Sequence, residues 1–343
     1  MKYINRNSIL KLFKLFNGYP VNTFLSGDGV ILAFHRVTDK KLSIYNHGLE
    51  ISACKFQAML NYLLKHNYEF ISLDNALERK FSRSCKKFAV ITFDDGYKDN
   101  FTVAYPILKK YKIPFTVYVT TKFPDRTAIL WWYLLEEIII KKVEIKFTYL
   151  DVDYSFNCAT EQKKEMTFNA IRKFIIDTQP NAIKEKLTAI FRYYFDSLYQ
   201  GIKDLTLSWK DISILAQDPL VSIENHTVNH FSLAHLQAQD VRCEIEEAKT
   251  LILKKTGSIT KHLAYPFGSR NEVNQATAEA VSELGYSTAV TTMPGNIFKE
   301  CFNNRLLLPR YTICEKTSKY ELNMMLNGIY AFLRNGYKNP ITL

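Results

Sequence analysis

Along the chain, short apolar runs alternate with stretches in which apolar residues recur every three or four positions. Runs rich in Val, Ile, Phe and Tyr predict strands at 30–35, 69–72, 88–93, 115–120, 220–223, 262–265, 286–290 and 306–313. Between them, the three-to-four spacing predicts helices over 56–66, 98–111 and 240–255. In the last of these, Val241, Ile245, Ala248 and Ile252 share one face, and Gly257 stands where a helix-ending glycine belongs. Strands that alternate with helices build parallel βαβ units, and about eight of them suit a (β/α) barrel better than an open sheet.

The rhythm stops between residues 120 and 220, where only 144–149 reads as a strand and helical patterns rich in Lys, Glu and aromatics dominate. It resumes cleanly afterwards. The chain therefore divides into a basic amphipathic segment 1–24, a barrel in two pieces (25–124 and 208–320), a mostly helical insertion 125–207, and a C-terminal helix and tail 321–343. Loops at the C-terminal ends of barrel strands carry active sites, so the insertion reads either as a substrate wall or as a layer packed on the barrel exterior.

Composition removes whole classes of function. Of 343 residues, 47% are hydrophobic and only 12 are Gly and 10 Pro, which excludes disordered and collagenous chains. The six cysteines are scattered, with no C-x-x-C pair, and read as buried thiols in a reducing compartment. Lys11 and Lys14 interrupt the apolar stretch from Ile9 to Phe16, so a secretory signal is not expected and the reading is a cytoplasmic protein. Ile9, Leu12, Phe13 and Phe16 share one helical face. With the formal charge of +11, this suits peripheral contact with the inner face of an anionic membrane, or a first helix packed on its own domain. No run of about 18 apolar residues predicts a membrane span. No nucleic-acid module or dense basic stripe accompanies the charge, so nucleic acid is not an expected partner.

Two segments carry chemistry. In Ala89-Val90-Ile91-Thr92-Phe93-Asp94-Asp95-Gly96-Tyr97, an apolar strand runs directly into two carboxylates. Adjacent carboxylates repel unless a cation or a shared proton joins them, although either one can also cap the helix that follows. In Glu224-Asn225-His226-Thr227-Val228-Asn229-His230, two histidines stand at i and i+4 after a strand, a spacing suited to one metal ion. Two histidines and one carboxylate supply three ligands and leave a position open for water.

Thr92-Phe93-Asp94-Asp95-Gly96 and His226-Thr227-Val228-Asn229-His230 together resemble the first two motifs of the polysaccharide deacetylases, the NodB-type family 4 of carbohydrate esterases. The order and spacing over 86–105 and 207–298 resemble that family as well. The resemblance implies an α/β fold, a distorted (β/α) barrel, in a metal-dependent hydrolase that removes acetyl groups from N-acetylated sugars. It implies Asp95, His226 and His230 as ligands of a divalent metal, zinc, cobalt or nickel, and Asp94 as the general base. Ala264-Tyr265-Pro266-Phe267-Gly268 resembles the third motif, with Phe267 supplying an oxyanion-binding N–H and Tyr265 beside the substrate.

Two departures are visible. Ala264 stands where the family often has an arginine that orients the catalytic aspartate, and Arg310, after the last apolar run, is the candidate to supply that charge. No histidine follows His262, so the late Leu-x-His motif is missing. His35, at the end of the first strand, resembles the general acid of the permuted subset acting on surface polysaccharides and poly-N-acetylglucosamine. Trp131 and Trp132 are candidate sugar platforms, with core packing as the competing role, while Trp209 reads as packing a helix start.

The expected function is removal of an N-acetyl group from an amino sugar of a bacterial surface polysaccharide or its precursor, with an N-acetylated glycan or a lipid-linked sugar intermediate as partner. The alternatives are an inactive glycan-binding barrel and an O-acetyl esterase using the same residues.

Overall fold

In the computed structural model, which describes residues 25–40, 42–79, 86–127, 130–176, 180–192 and 205–336, all eight expected strands form. The amphipathic segment 1–24 lies outside the described residues. Twelve strands are present among those described. They are β1 (Gly29–Phe34), β2 (Arg36–Thr38), β3 (Glu50–Ser52), β4 (Glu69–Phe70), β5 (Phe88–Phe93), β6 (Phe115–Val119), β7 (Glu144–Tyr149), β8 (Val152–Asn157), β9 (Val221–Asn225), β10 (His262–Ala264), β11 (Thr288–Val290) and β12 (Tyr311–Thr312).

The main sheet runs in the order β11-β10-β9-β6-β5-β1-β12, with every pairing parallel, and β4 adds to the start of β5. The stretch before β12 closes it: Val290 bridges to Leu308, and a few residues later β12 pairs with β1. The result is a distorted (β/α) barrel. Its distortion lies in β5, whose one edge is shared by β4 and β6, and in the very short β12.

Side chains alternate faces along a strand, and here the alternation separates two cores. Val30, Leu32 and Phe34 with Ala89, Ile91 and Phe93 face the outer helices. Ile31, Val90, Tyr118, Ala264, Val290 and Leu308 fill the barrel interior. These strands are buried on both faces, which is why they read as continuous apolar runs. The expected helix over 98–111 splits into a π-helical turn, Asn100–Ala104, and an α-helix, Tyr105–Tyr111. Pro106 lacks the N–H that a regular ladder needs there.

The stretch expected to be mostly helical holds the helices Trp131–Lys141, Glu161–Ile176 and Pro180–Phe191, and also an antiparallel hairpin of β7 and β8. The hairpin turn is Leu150-Asp151, with φ of 48° and 59°. A turn left-handed at both central residues normally announces itself as Asn-Gly, and its absence hides the second strand. This region has an apolar core of its own, built around Trp131, Leu135, Ile139, Phe168 and Ile171.

One carboxylate joins this core to the barrel. Glu136, only 7% exposed, accepts hydrogen bonds from the N–H groups of Ile44 (2.8 Å), Tyr45 (3.2 Å) and Asn46 (3.0 Å). It also accepts from Asn46 Nδ2 at 2.7 Å and from the Ser43 hydroxyl. Glu136→Ala would leave these donors without an acceptor and should cost about 2–4 kcal/mol in urea unfolding. Amide exchange at residues 44–46 should accelerate in the same variant; unchanged exchange there would refute the tether.

Candidate active site

Strand alternation decides which side chains reach the barrel mouth. Continuing the inward positions past the strand ends gives His35 after β1, Asp94 after β5 and His226 after β9, while Leu308 inward puts Arg310 inward too. Asp94 and His226 are 2% exposed and Arg310 is fully buried. His35 and both Asp94 and His226 line one cavity of about 650 Å³ at the C-terminal ends of the parallel strands.

Asp95 and His230 reach the same place by a different route. Both are non-glycine residues in the left-handed region, with φ of 71° and 58°. The left-handed turn after β5 swings Asp95 back over the barrel mouth, beside Asp94. Its Oδ1 sits 3.4 Å from His226 Nε2 and 3.2 Å from His230 Nε2. One ligand atom from each of the three lies within 4.8 Å of the others. His226 Nδ1 is 2.7 Å from the Ala264 carbonyl, to which it donates, so its Nε2 lone pair faces Asp95. Asp95 Oδ1 is buried without a hydrogen-bond donor among the described residues. A buried carboxylate oxygen without a donor, facing two imidazole nitrogens with one tautomer fixed, fits a divalent cation. Burial pushes the Asp95 carboxyl up; positive charge across from it, carried by protonated His230 and His226 rings in the absence of a metal, more than offsets this and holds it well below the usual carboxylate range.

Asp94 is held from inside the barrel. Arg310 grips it with two parallel hydrogen bonds, Nη1 to Oδ1 at 2.8 Å and Nη2 to Oδ2 at 2.7 Å. The guanidinium is itself fixed by Thr291 O (2.9 Å from Nε) and Thr92 Oγ1 (3.1 Å from Nη1), and it packs 5.6 Å from the Tyr118 ring centroid. Burial raises the Asp94 carboxyl, and Arg310 with His226 reverses the effect and keeps it below its ordinary value.

The turn after β10 brings backbone to the cavity. Phe267 is left-handed (φ 59°) and lines it, and its N–H meets no acceptor among the described residues. Gly268 follows at φ 61°, where a Cβ would lie 2.9 Å from Thr292 N, so the close approach admits glycine alone. Tyr265 corrects the expectation of a substrate contact. It occupies an outward position of its strand end, packs in the outer core with Leu263 and Val281, and donates its hydroxyl to Leu306 O at 3.1 Å.

His35 lines the cavity, and its Nδ1 is buried without a partner. Its carbonyl accepts from Asn100 Nδ2 at 2.7 Å, which ties it to the π-helical turn. Desolvation lowers the imidazole's affinity for a proton, while the Asp95 and Asp94 carboxylates pull the other way.

The residues 82–289 match the family model for polysaccharide deacetylases. The chain belongs to the polysaccharide deacetylase family. Among its relatives, the Bacillus subtilis (strain 168) protein YxkH is 24% identical over 270 residues, 77% of this chain and 64% of that protein. A poly-beta-1,6-N-acetyl-D-glucosamine N-deacetylase of Staphylococcus aureus (strain MRSA252) is 28% identical over 136 residues, 39% of this chain and 45% of that protein. The chain thus spans less than two thirds of the length of either curated relative. Among solved structures, the Streptococcus pyogenes deacetylase PplD in complex with acetate shares the fold at TM-score 0.56 and 21% identity, over 87% of this chain and 97% of that one. IcaB from Ammonifex degensii does so at TM-score 0.53 and 16% identity, over 88% and 97%.

In this polysaccharide deacetylase family chain the outer wall of the cleft comes from the insertion. Trp131, Trp132, Phe168 and Arg172 line it, facing Tyr45 and Leu49 of the loop that Glu136 holds. Trp132 lies 5.5 Å from the His230 ring and Phe267 4.8 Å, so aromatic faces enclose that histidine. Trp209, away from the cleft, follows the helix cap Ser208 and donates to Asp125 at 2.6 Å. Sequence reading missed Arg172, which faces Glu272 across the cleft; a charged helical residue carries no local sign that its helix will cover a site.

Replacing Arg310 tests the architecture of the site. Arg310→Met leaves a buried carboxylate without its cation and should cost about 3–5 kcal/mol at pH 7 in the metal-free protein. In the wild type the depressed Asp94 carboxyl contributes stability that persists above its unfolded value and is lost only in stronger acid. In the variant, burial raises that carboxyl against His226 and His35 only, so protonation on lowering the pH from 7 to 5 relieves the strain. Urea unfolding should therefore show the gap between the two proteins narrowing as pH falls; a constant gap would refute the role given to the ion pair.

Proposed function

We propose that this chain is a metal-dependent hydrolase that removes the N-acetyl group from an amino sugar of a bacterial surface polysaccharide or its precursor. The observation that carries the reading is the donor-free Asp95 oxygen facing His226 and His230 beside an Arg310-held Asp94, all on one cavity. Membership of the family and the named activity of the Staphylococcus aureus relative support the choice of reaction. Asp95, His226 and His230 are the residues that would hold the metal, with zinc, cobalt or nickel all suited to such a set. A divalent cation there supplies Lewis acidity toward the acetyl carbonyl and makes water more acidic.

The chain's own residues do the rest. Asp94, kept ionised by Arg310, takes a proton from water as its oxygen bonds to the acetyl carbon. The Phe267 N–H is free to donate to the oxyanion that develops on the acetyl oxygen. His35 delivers a proton to the sugar nitrogen as the carbon–nitrogen bond breaks, and its desolvated ring gives that proton up readily. Acetate and a free amine are the products. Trp131 and Trp132, each 6% exposed and packed in the core of their own region, close one side of the cleft and exclude water from it.

Elemental analysis of the purified protein should find about one transition-metal ion per chain. Asp95→Asn and His226→Ala should lose it while remaining folded. Asp94→Asn should retain the metal but lower acetate release from N-acetylglucosamine oligomers by about 10²–10⁴-fold. A folded protein that takes up no metal after zinc is supplied would overturn the proposal in favour of a glycan-binding barrel. Acetate released only from O-acetylated sugars would overturn it in favour of an esterase.

A further inference from the structure

A second cavity, of about 500 Å³, lies outside the barrel between the helix Ala53–Lys65 and the start of the helix Lys319–Leu326. Its floor is apolar: Ile51, Met59, Ile313 and Leu322 line it from the core beneath. Its rim carries the cations Lys55, Lys65 and Lys319 together with His66, and no carboxylate is among the described residues that line it. Tyr62 stiffens one side, with the His66 ring 4.0 Å and Lys319 Nζ 5.5 Å from its ring centroid. Lys55 donates to the Glu315 carbonyl, which uses one of its three N–H groups. The neighbouring Glu315 carboxylate is engaged by the Ser52 N–H at 2.8 Å.

The groove and the catalytic cleft stand back to back. Leu49 and Thr312 line the cleft, whereas Ile51 and Ile313, one or two residues on, line the groove. One layer of backbone separates them. An apolar trough edged by lysines, with no carboxylate among the described residues that line it, is complementary to a hydrocarbon chain that ends in a phosphate. A neutral apolar ligand would bring no anion to Lys65 and Lys319, and a free anion would leave the floor wet.

We infer that this groove binds a phosphate-bearing lipid, with its hydrocarbon chain on the floor and its phosphate between Lys65 and Lys319, at the Tyr62 end. Such a site would tether the protein to an anionic lipid. The inference goes beyond the reaction proposed above and does not depend on it.

Titration calorimetry of the full chain with monomeric dodecyl phosphate tests this, with inorganic phosphate and dodecyl maltoside as separate probes. Dodecyl phosphate should bind one to one, and the other two should not. Ala58 is exposed and lines the groove, so Ala58→Trp fills it without disturbing the core. That variant, and the double variant Lys65→Glu with Lys319→Glu, should each weaken binding by about tenfold or more. Asp95→Asn should bind dodecyl phosphate as the wild type does, which separates failure of this site from failure of the catalytic reading. Equal binding to wild type and both groove variants would overturn the inference and point to attraction elsewhere on a basic chain. Equal binding of inorganic phosphate would reduce the site to an anion site, equal binding of dodecyl maltoside to an apolar one, and no binding at all would remove it.

Discussion

The buried pair of Arg310 and Asp94 is the interaction on which both the barrel and its mouth depend. Taking a guanidinium and a carboxylate out of water is expensive, and their attraction offsets it only if the remaining donors are satisfied. Here four of the five guanidinium N–H groups are, by Thr291 O, Thr92 Oγ1 and both Asp94 oxygens, and the Tyr118 ring packs close to the guanidinium. The pair joins the segment that closes the barrel to the end of β5. Closure of the sheet and orientation of the proposed base are therefore one event. A family member with its arginine at the position of Ala264 would reach the aspartate from β10 instead; this chain sends the charge in from the closing segment, and Ala264 fills interior space.

Around that fixed point the site is made from strained backbone. Asp95, Thr227, His230 and Phe267 all hold positive φ without being glycine. Each such residue costs about 1–3 kcal/mol and persists only where its surroundings over-determine it. The determination is visible. Asn225 Oδ1 accepts from Thr227 N at 2.7 Å, and buried Glu244 accepts from Val228 N at 3.0 Å and Asn229 N at 2.8 Å. The loop carrying both histidines is thus held by side chains from β9 and from the helix Ala238–Thr256. The helical i, i+4 spacing that first drew attention to His226 and His230 is not how they meet: a left-handed loop, not a helix, brings their rings to 4.9 Å.

Much of the barrel was legible because its strands are buried on both faces and read as apolar runs. The same alternation that separates the two cores tells which residues past each strand end face the mouth. Applied to 262–265, it places Tyr265 outward, so the information was in the sequence even though the motif drew attention elsewhere. Other features left no local trace. β2 and β3 have three residues each and owe their pairing to Arg36, which bonds Glu50 and Asp99 at 2.7 Å. The β7–β8 hairpin turns on Leu150-Asp151, a pair without turn chemistry. That Arg310 meets Asp94 across 216 positions is a consequence of closure, which no local pattern encodes.

The insertion explains why the barrel alone is half a site. The proposed metal ligands, base and oxyanion donor all follow strand ends, but they form only the floor of the cavity. The wall comes from a separate apolar core that Glu136 locks to residues 43–46, leaving Tyr45 and Leu49 facing Trp131, Trp132 and Phe168. The floor and the wall are thus stabilised by different interactions, the Arg310 pair within the barrel and the Glu136 tether outside it. A chain built this way can change what its cleft accepts by altering residues 131–172 while leaving the groups on the floor where they are. The backbone from Leu49 to Ile51 faces the cleft at one end and the outer groove at the other, so whatever settles in the groove abuts the same wall that shapes the cleft.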